Sequence, residues 1–316
     1  MKKSIITLIA IAITLSLVLI GCTPQNDEGG PIRIATLAGP TGMGMVQLFD
    51  NEQDYDISVY TAPDQISSKI INSEIDVAAI PSNLASILYN NTNGAIEILS
   101  VVTLGVLYII GEKSEDIDSI NDLQGKTLYA SGQGATPDFV LSDILSQNEI
   151  DITPIYSSEH SVLASEMISG AKNLALLPEP FVSMVLNANS DLERKITIND
   201  EWRALYGADA ALPMSSVIVR KAYRQQNEDK IQKLISDYKD SVEFVNDDVD
   251  SAADAIALHG IFANKAVTKA AIPGCQISFI EGANMKNILT AYFQVLYGAN
   301  PNSIGGSIPN DGIYSS

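Results

Sequence analysis

Two glycine-bearing turns, Gly39-Pro40-Thr41-Gly42 and Gly132-Gln133-Gly134-Ala135-Thr136-Pro137, sit where an apolar run of strand length gives way to helical spacing. At such a junction the first backbone N–H groups of the helix lack an intrahelical partner, and the helix dipole presents its positive end. Glycine lets a ligand approach the backbone closely, and the hydroxyls of Thr41 and Thr136 add donors. Two such helix starts facing one another across a cleft would receive a small anion or a polar head group. Taken singly, each turn is equally an ordinary strand–helix connection; their matched placement makes them a candidate site. Neither is a phosphate loop or a dinucleotide fingerprint, because G-x-x-x-x-G-K-[ST] is absent and Gly39-Pro40-Thr41-Gly42-Met43-Gly44 has the wrong spacing.

Other residues divide between chemistry and architecture. Ser82-Asn83 follows Pro81 at a strand end, where a helix cap and a ligand contact are equally good readings. Glu179, held between Pro178 and Pro180, places a carboxylate at a cleft rim, where it can accept from a ligand N–H or hydroxyl, or serve as an N-terminal helix acid. His160 beside Glu159 reads as a solvated helix start, and His259 before Gly260 as a C-terminal cation. Trp202 and Tyr206, four apart, read as core, while Tyr108 and Tyr129 offer faces on which a flat ligand can stack. No G-x-S-x-G, H-E-x-x-H or C-x-x-C occurs, and two histidines with one spare thiol make a poor metal cage, so neither enzyme, metal nor cofactor is expected.

The elements that position these residues alternate. Ile32–Leu37, Ile57–Tyr60 and Asp76–Ile80 read as strands; Met43–Asn51, Pro63–Ile71 and Leu84–Tyr89 read as the helices after them. Ile96–Thr103 and Val106–Ile110, broken by Gly105, read as strands crossing between lobes. The scheme then restarts, with strands at Lys126–Ala130, Pro154–Tyr156 and Asn173–Leu177 and helices at Asp138–Gln147, Ser161–Ser169 and Phe181–Leu186. One further strand covers Met214–Val219, and from Lys221 onward the chain reads as mainly helical. Repeated strand–helix alternation predicts two α/β lobes, each with a parallel or mixed sheet covered by helices. The expected division is residues 31–107 with 215–316 for the first lobe and 108–214 for the second.

The N-terminus carries a different chemistry. Lys2 and Lys3 precede the apolar run Ile5–Ile20, and Leu19-Ile20-Gly21-Cys22 ends it with a small residue before a cysteine. This pattern predicts a lipoprotein signal peptide over residues 1–21, acylation of Cys22, and a polar tether over residues 22–30. The run is short for a membrane span. The expected location is the extracytoplasmic face of the cell membrane, with Cys275 left as a single thiol, more at home in a core than in a reaction. The formal charge of −19 becomes −21 once Lys2 and Lys3 leave with the signal, 17 basic against 38 acidic residues. So acidic a chain repels nucleic acid and anionic head groups, which leaves the acyl group to hold it at a membrane.

In order and spacing, several segments resemble the substrate-binding lipoproteins of ABC importers for nitrate, sulfonates and taurine, whose fold is shared with pyrimidine-precursor binding proteins. They are Ile32-Arg33-Ile34-Ala35 with Gly39-Pro40-Thr41-Gly42, Glu74-Ile75-Asp76-Val77-Ala78 leading to Pro81-Ser82-Asn83, Asp122-Leu123-Gln124-Gly125-Lys126, and Glu179-Pro180. The resemblance spans nearly the whole chain after Cys22. It implies a type II periplasmic-binding-protein-like fold, two lobes joined by crossover strands, and a monomer that closes over a small polar or anionic solute. It implies an ABC permease with its ATPase as partner. Carried over by position, ligand contacts would come from Gly39, Pro40, Thr41, Gly42, Ser82, Asn83, Thr103, Gly134, Ala135, Thr136 and Glu179. An enzyme of pyrimidine-precursor metabolism on the same fold and a surface-tethered sensor are the alternatives.

Overall fold

The structure, a computed structural model, describes residues 29–208 and 210–315; the expected signal peptide, Cys22 and most of the tether lie outside the described residues. From Ile32 onward the apolar runs form two sheets. The first contains β1 (Ile32–Leu37), β2 (Tyr55–Tyr60), β3 (Val77–Pro81), β4 (Ile96–Leu104), β10 (Pro213–Arg220) and β11 (Ile277–Ile280), ordered β11-β4-β10-β3-β1-β2. The second contains β5 (Leu107–Glu112), β6 (Tyr129–Ser131), β7 (Ile155–Ser157), β8 (Leu174–Pro178) and β9 (Leu192–Thr197), ordered β7-β6-β8-β5-β9. In the first sheet β1 is parallel to β2 and β3, and β10 is antiparallel to β3. The second repeats this, with β6 parallel to β7 and β8 and β5 antiparallel to β8. β5 enters the second sheet before its parallel strands, and β10 returns to the first sheet after the second is complete. The chain therefore crosses twice between sheets.

Each parallel strand feeds a helix, as right-handed crossover connections require. These helices are α1 (Pro40–Met43), α2 (Pro63–Ile71), α3 (Ser82–Asn91), α4 (Thr136–Gln147), α5 (His160–Ile168) and α6 (Phe181–Ala188). In α2 a proline opens the first turn and Ile66 and Ile70, four apart, form the buried face. The return crossover contains α7 (Ile198–Tyr206). It is followed by α8 (Lys221–Gln226), α9 (Glu228–Asp247), α10 (Val249–Leu258), α11 (Lys265–Ala271) and α12 (Gly282–Ala299). Ile231, Leu234, Tyr238, Val242 and Val245 give α9 one apolar stripe against the first sheet. Among the described residues no helix is long and apolar enough to cross a membrane.

One local expectation fails, and two strands form where the sequence reading places none. The stretch Met43–Asn51 is not one helix: α1 ends at Met43 and a 3₁₀ turn covers Val46–Asp50. β9, where Glu193, Arg194 and Lys195 interrupt the apolar pattern, forms as a half-buried edge strand paired to β5 alone. β11 interrupts the helical C-terminal region with four residues along the edge of β4, too short a run to announce itself.

One apolar core runs through both sheets, joining Ile80 and Ile98 to Leu107, Ile109, Leu141, Trp202 and Tyr292. Helix α12 packs on α3, α4, β4 and β10, and so touches elements that follow strands of both sheets. The crossovers meet at a hydrogen-bonded node. Gly105 N donates to Leu212 O at 2.9 Å, and Leu212 N to Asn199 Oδ1 at 2.9 Å. Asn199 Nδ2 donates to Gln276 Oε1 at 3.1 Å, whose amide reaches back to Gly105 O at 3.4 Å. Gly105 has φ +39°, and a Cβ there would lie 2.4 Å from Asn199 Cβ, so glycine is required.

Candidate ligand-binding cleft

The carboxyl ends of the parallel strands of both sheets open onto one cleft of about 660 Å³, within the range of small-molecule pockets. This is where α/β sheets present their free loops and helix starts. Three turns of the first sheet face three of the second. After β1 come Leu37 to Thr41, after β2 Thr61 and Pro63, and after β3 Pro81, Asn83, Leu84 and Ile87. Opposite them lie Ala135 to Pro137 after β6, His160 after β7, and Pro178 to Phe181 after β8. The crossovers add Thr103, Val106, Leu107, Met214 and Ser215, and Phe262 closes one side.

The carried-over positions divide on this geometry. Gly39, Pro40, Thr41, Asn83, Thr103, Ala135, Thr136 and Glu179 line the cleft; Gly42, Ser82 and Gly134 do not. Gly42 is buried under the turn, where a Cβ would meet Leu37 O at 2.7 Å. The Ser82 hydroxyl is wholly buried and shares a 2.8 Å hydrogen bond with Ser216. Gly134 is exposed, its N–H bound to Asp138 Oδ2 at 2.8 Å.

Several lining side chains already have protein partners. Thr41 Oγ1 lies 2.8 Å from Ser215 Oγ, tying the β1 turn to β10. Thr136 Oγ1 lies 3.0 Å from the phenol of Tyr292 on α12. Asn83 Nδ2 donates to Ser303 O at 3.2 Å. Glu179 differs most from the expectation of a carboxylate offered at the rim. Its side chain is 0 % exposed and turned into the protein, accepting from Ser183 N and Ser183 Oγ at 3.0 Å each and from Arg194. Burial raises its pKa, against the pull of Ser183 and Arg194.

His160, expected as a solvated helix start, instead lines the cleft. Its Nδ1 lies 2.7 Å from Ser131 Oγ, its ring leans on Phe181 with centroids 5.5 Å apart, and burial lowers its pKa, keeping the imidazole neutral near pH 7. The signal that would have found it is position: it opens the helix after the second parallel strand of the second sheet, as Pro63 does after β2 in the first. Phe262 and Met214 carry no such signal. Tyr108 and Tyr129 are not lining residues. The Tyr108 phenol donates to Gly274 O at 2.8 Å, with Arg194 over its ring, and Tyr129 lies under Lys172. Trp202 is fully buried with its ring 4.5 Å from Tyr206, and His259 contacts Asp50 at a helix C-terminus. Cys275 is fully buried, and burial pushes its thiol well above the usual range.

No family model and no curated protein sequence matches this chain. Solved structures do. An ABC transporter structure from Parabacteroides distasonis superposes with a TM-score of 0.78 at 22 % identity, covering 90 % of this chain and 99 % of the other. The periplasmic aliphatic sulphonate binding protein of Escherichia coli gives a TM-score of 0.70 at 14 % identity, covering 88 % and 96 %. The periplasmic nitrate-binding protein of Synechocystis PCC 6803 gives 0.54 at 10 %, covering 73 % and 66 %. At such identities the likeness is one of architecture: the chain has the type II periplasmic-binding-protein fold, two mixed sheets flanked by helices and joined by crossovers.

Proposed function

We propose that the protein is the solute-binding component of an ABC importer, a receptor that captures a small molecule between two lobes and delivers it to a permease driven by an ATPase. The observation that carries this reading is the 660 Å³ cleft walled by three matched pairs of strand-to-helix turns from two separate sheets. In this reading residues 31–107 and 215–316 form one lobe and 108–214 the other. The crossovers near Leu104–Tyr108 and Pro213–Ser216 absorb the dihedral change of closure. The permease then selects the closed state by its differential affinity.

The cleft favours capture over chemistry. Glu179 spends its carboxylate on Ser183 and Arg194. Ser131 and His160 have the form of a nucleophile and a base, but Ser131 is 1 % exposed and does not line the cleft. The Leu19-Ile20-Gly21-Cys22 string supports an acyl anchor on the extracytoplasmic face of the membrane, which would raise the receptor's effective concentration near its permease. A monomer suffices, since both walls of the cleft come from one chain.

Small-angle scattering with a broad panel of solutes tests the receptor reading. A ligand should lower the radius of gyration; unchanged compactness across the panel would overturn it. For the anchor, labelled palmitate should enter the wild-type protein and not Cys22→Ala.

A further inference from the structure

The cleft is poorly equipped for an anion. Among the described residues that line it there is no lysine or arginine. The guanidinium of Arg194 is paired with the buried Glu179 behind the Pro178–Pro180 wall, so the pair brings little net positive charge there. His160 sits in an environment that disfavours its charged form.

Proline also removes backbone donors where an oxyanion would look for them. Pro40, Pro63, Pro81, Pro137, Pro178 and Pro180 all line the cleft, and none has an N–H. Pro40 and Pro63 take the first helical positions of α1 and α2, and Pro137 the second of α4. In α6 the Ser183 N–H is already bound to Glu179. The same turns that a sequence reading marks as anion receptors have thus lost part of their donor set to proline.

What remains is an apolar enclosure, with Leu37, Leu84, Val106, Met214, Phe181 and Phe262 among its walls. Apart from the buried Glu179 carboxylate, its polar groups are neutral: the paired hydroxyls of Thr41 and Ser215, those of Thr103 and Thr136, the Asn83 amide and the His160 ring. Such a surface rewards burial of an apolar body and a few single hydrogen bonds, and leaves a formal negative charge desolvated without a partner.

We propose that the cleft takes an uncharged solute with a largely apolar body and isolated hydrogen-bonding groups, not an oxyanion of the kind bound by the sulphonate and nitrate proteins that share its fold. The proposal rests on the receptor reading and narrows its ligand class.

A matched dye pair tests it, because N-phenylnaphthylamine and anilinonaphthalene sulfonate share one body and differ by the sulfonate. Both are titrated by fluorescence against the full chain carrying Cys22→Ala, so that no acyl chain competes. The neutral dye is expected to bind about tenfold tighter or more, which corresponds to about 1.4 kcal/mol. Thr61→Arg, at an exposed position on the cleft wall, then supplies the missing cation. It should shift the ratio of the two affinities about tenfold toward the sulfonated dye. Equal or tighter binding of the sulfonated dye by the Thr61 parent overturns the proposal, as does failure of both dyes to bind, or a Thr61→Arg chain with unchanged dye preference. The two readings fail separately. A sulfonate or nitrate that compacts the protein in scattering would refute the ligand class and leave the receptor standing, whereas no compaction by any solute would remove the receptor.

Discussion

Replacing Gly105 with alanine probes the node through which both crossovers pass. Two costs apply, and the structure separates them. With φ at +39°, an alanine there takes on left-handed strain of about 1–2 kcal/mol. Its Cβ would also lie 2.4 Å from Cβ and 2.6 Å from Cγ of Asn199. Carbon atoms pack at about 3.5–4.0 Å, so one side must retreat by roughly an ångström. Asn199 is fully buried and bound to both Leu212 and Gln276, so it cannot yield without breaking the node. Overpacking of this kind costs about 1–3 kcal/mol, which brings Gly105→Ala to about 2–5 kcal/mol. Gly125→Ala supplies the control, since Gly125 has φ +76° and nothing within 4 Å of its would-be Cβ. It should show the strain alone, about 1–2 kcal/mol. Urea unfolding followed by circular dichroism and by the fluorescence of the single tryptophan, buried Trp202, measures both. If the two variants lose the same stability to within about 0.5 kcal/mol, the close approach at the node is refuted.

Glu179→Gln should change the pH dependence of stability in a defined direction. Burial holds the native pKa above its ordinary 4.5, so the native state binds the proton more tightly than the unfolded chain. The wild-type advantage over Glu179→Gln is therefore full below pH 4.5 and is lost as pH rises through the native pKa; a constant difference across acid and neutral buffers would sink the assignment. Thr136→Val strands the fully buried Tyr292 phenol at a cost of about 1–3 kcal/mol, and adding Tyr292→Phe should recover most of it in the same unfolding assay. Cys275 should resist thiol reagents in the native protein and react stoichiometrically in denaturant, and rapid native labelling would contradict its burial.

The strand–helix alternation was legible because it rests on local periodicity. Pro63–Ile71 falls where a proline in the first turn and Ile66 with Ile70 predict it. The site was legible only by position. Turns after β1, β3, β6 and β8 stand at the cleft as the strand–helix scheme suggests, but the third pair, Thr61–Pro63 with His160, passed unnoticed because no unusual residue marks it. Glu179 misled for a related reason: a sequence places a carboxylate between two prolines and is silent on which way it turns. The partners that turn it inward are Ser183, four residues on, and Arg194, whose strand β9 was itself hidden by its charges.

The sequence by itself determined the alternating two-lobe α/β architecture, the lack of G-x-S-x-G, H-E-x-x-H and C-x-x-C motifs beside its paired turns, and the acidic balance that disfavours nucleic acid, since all of these follow from composition and short-range spacing. Only the tertiary structure decided the character of the cleft. Whether a threonine or a glutamate faces a ligand depends on partners that are distant in the chain, as with Thr41 and Ser215 or Thr136 and Tyr292. Long-range packing brought six prolines and a ring of apolar side chains to the mouths of both sheets, and so turned two apparent anion receptors into a largely apolar enclosure.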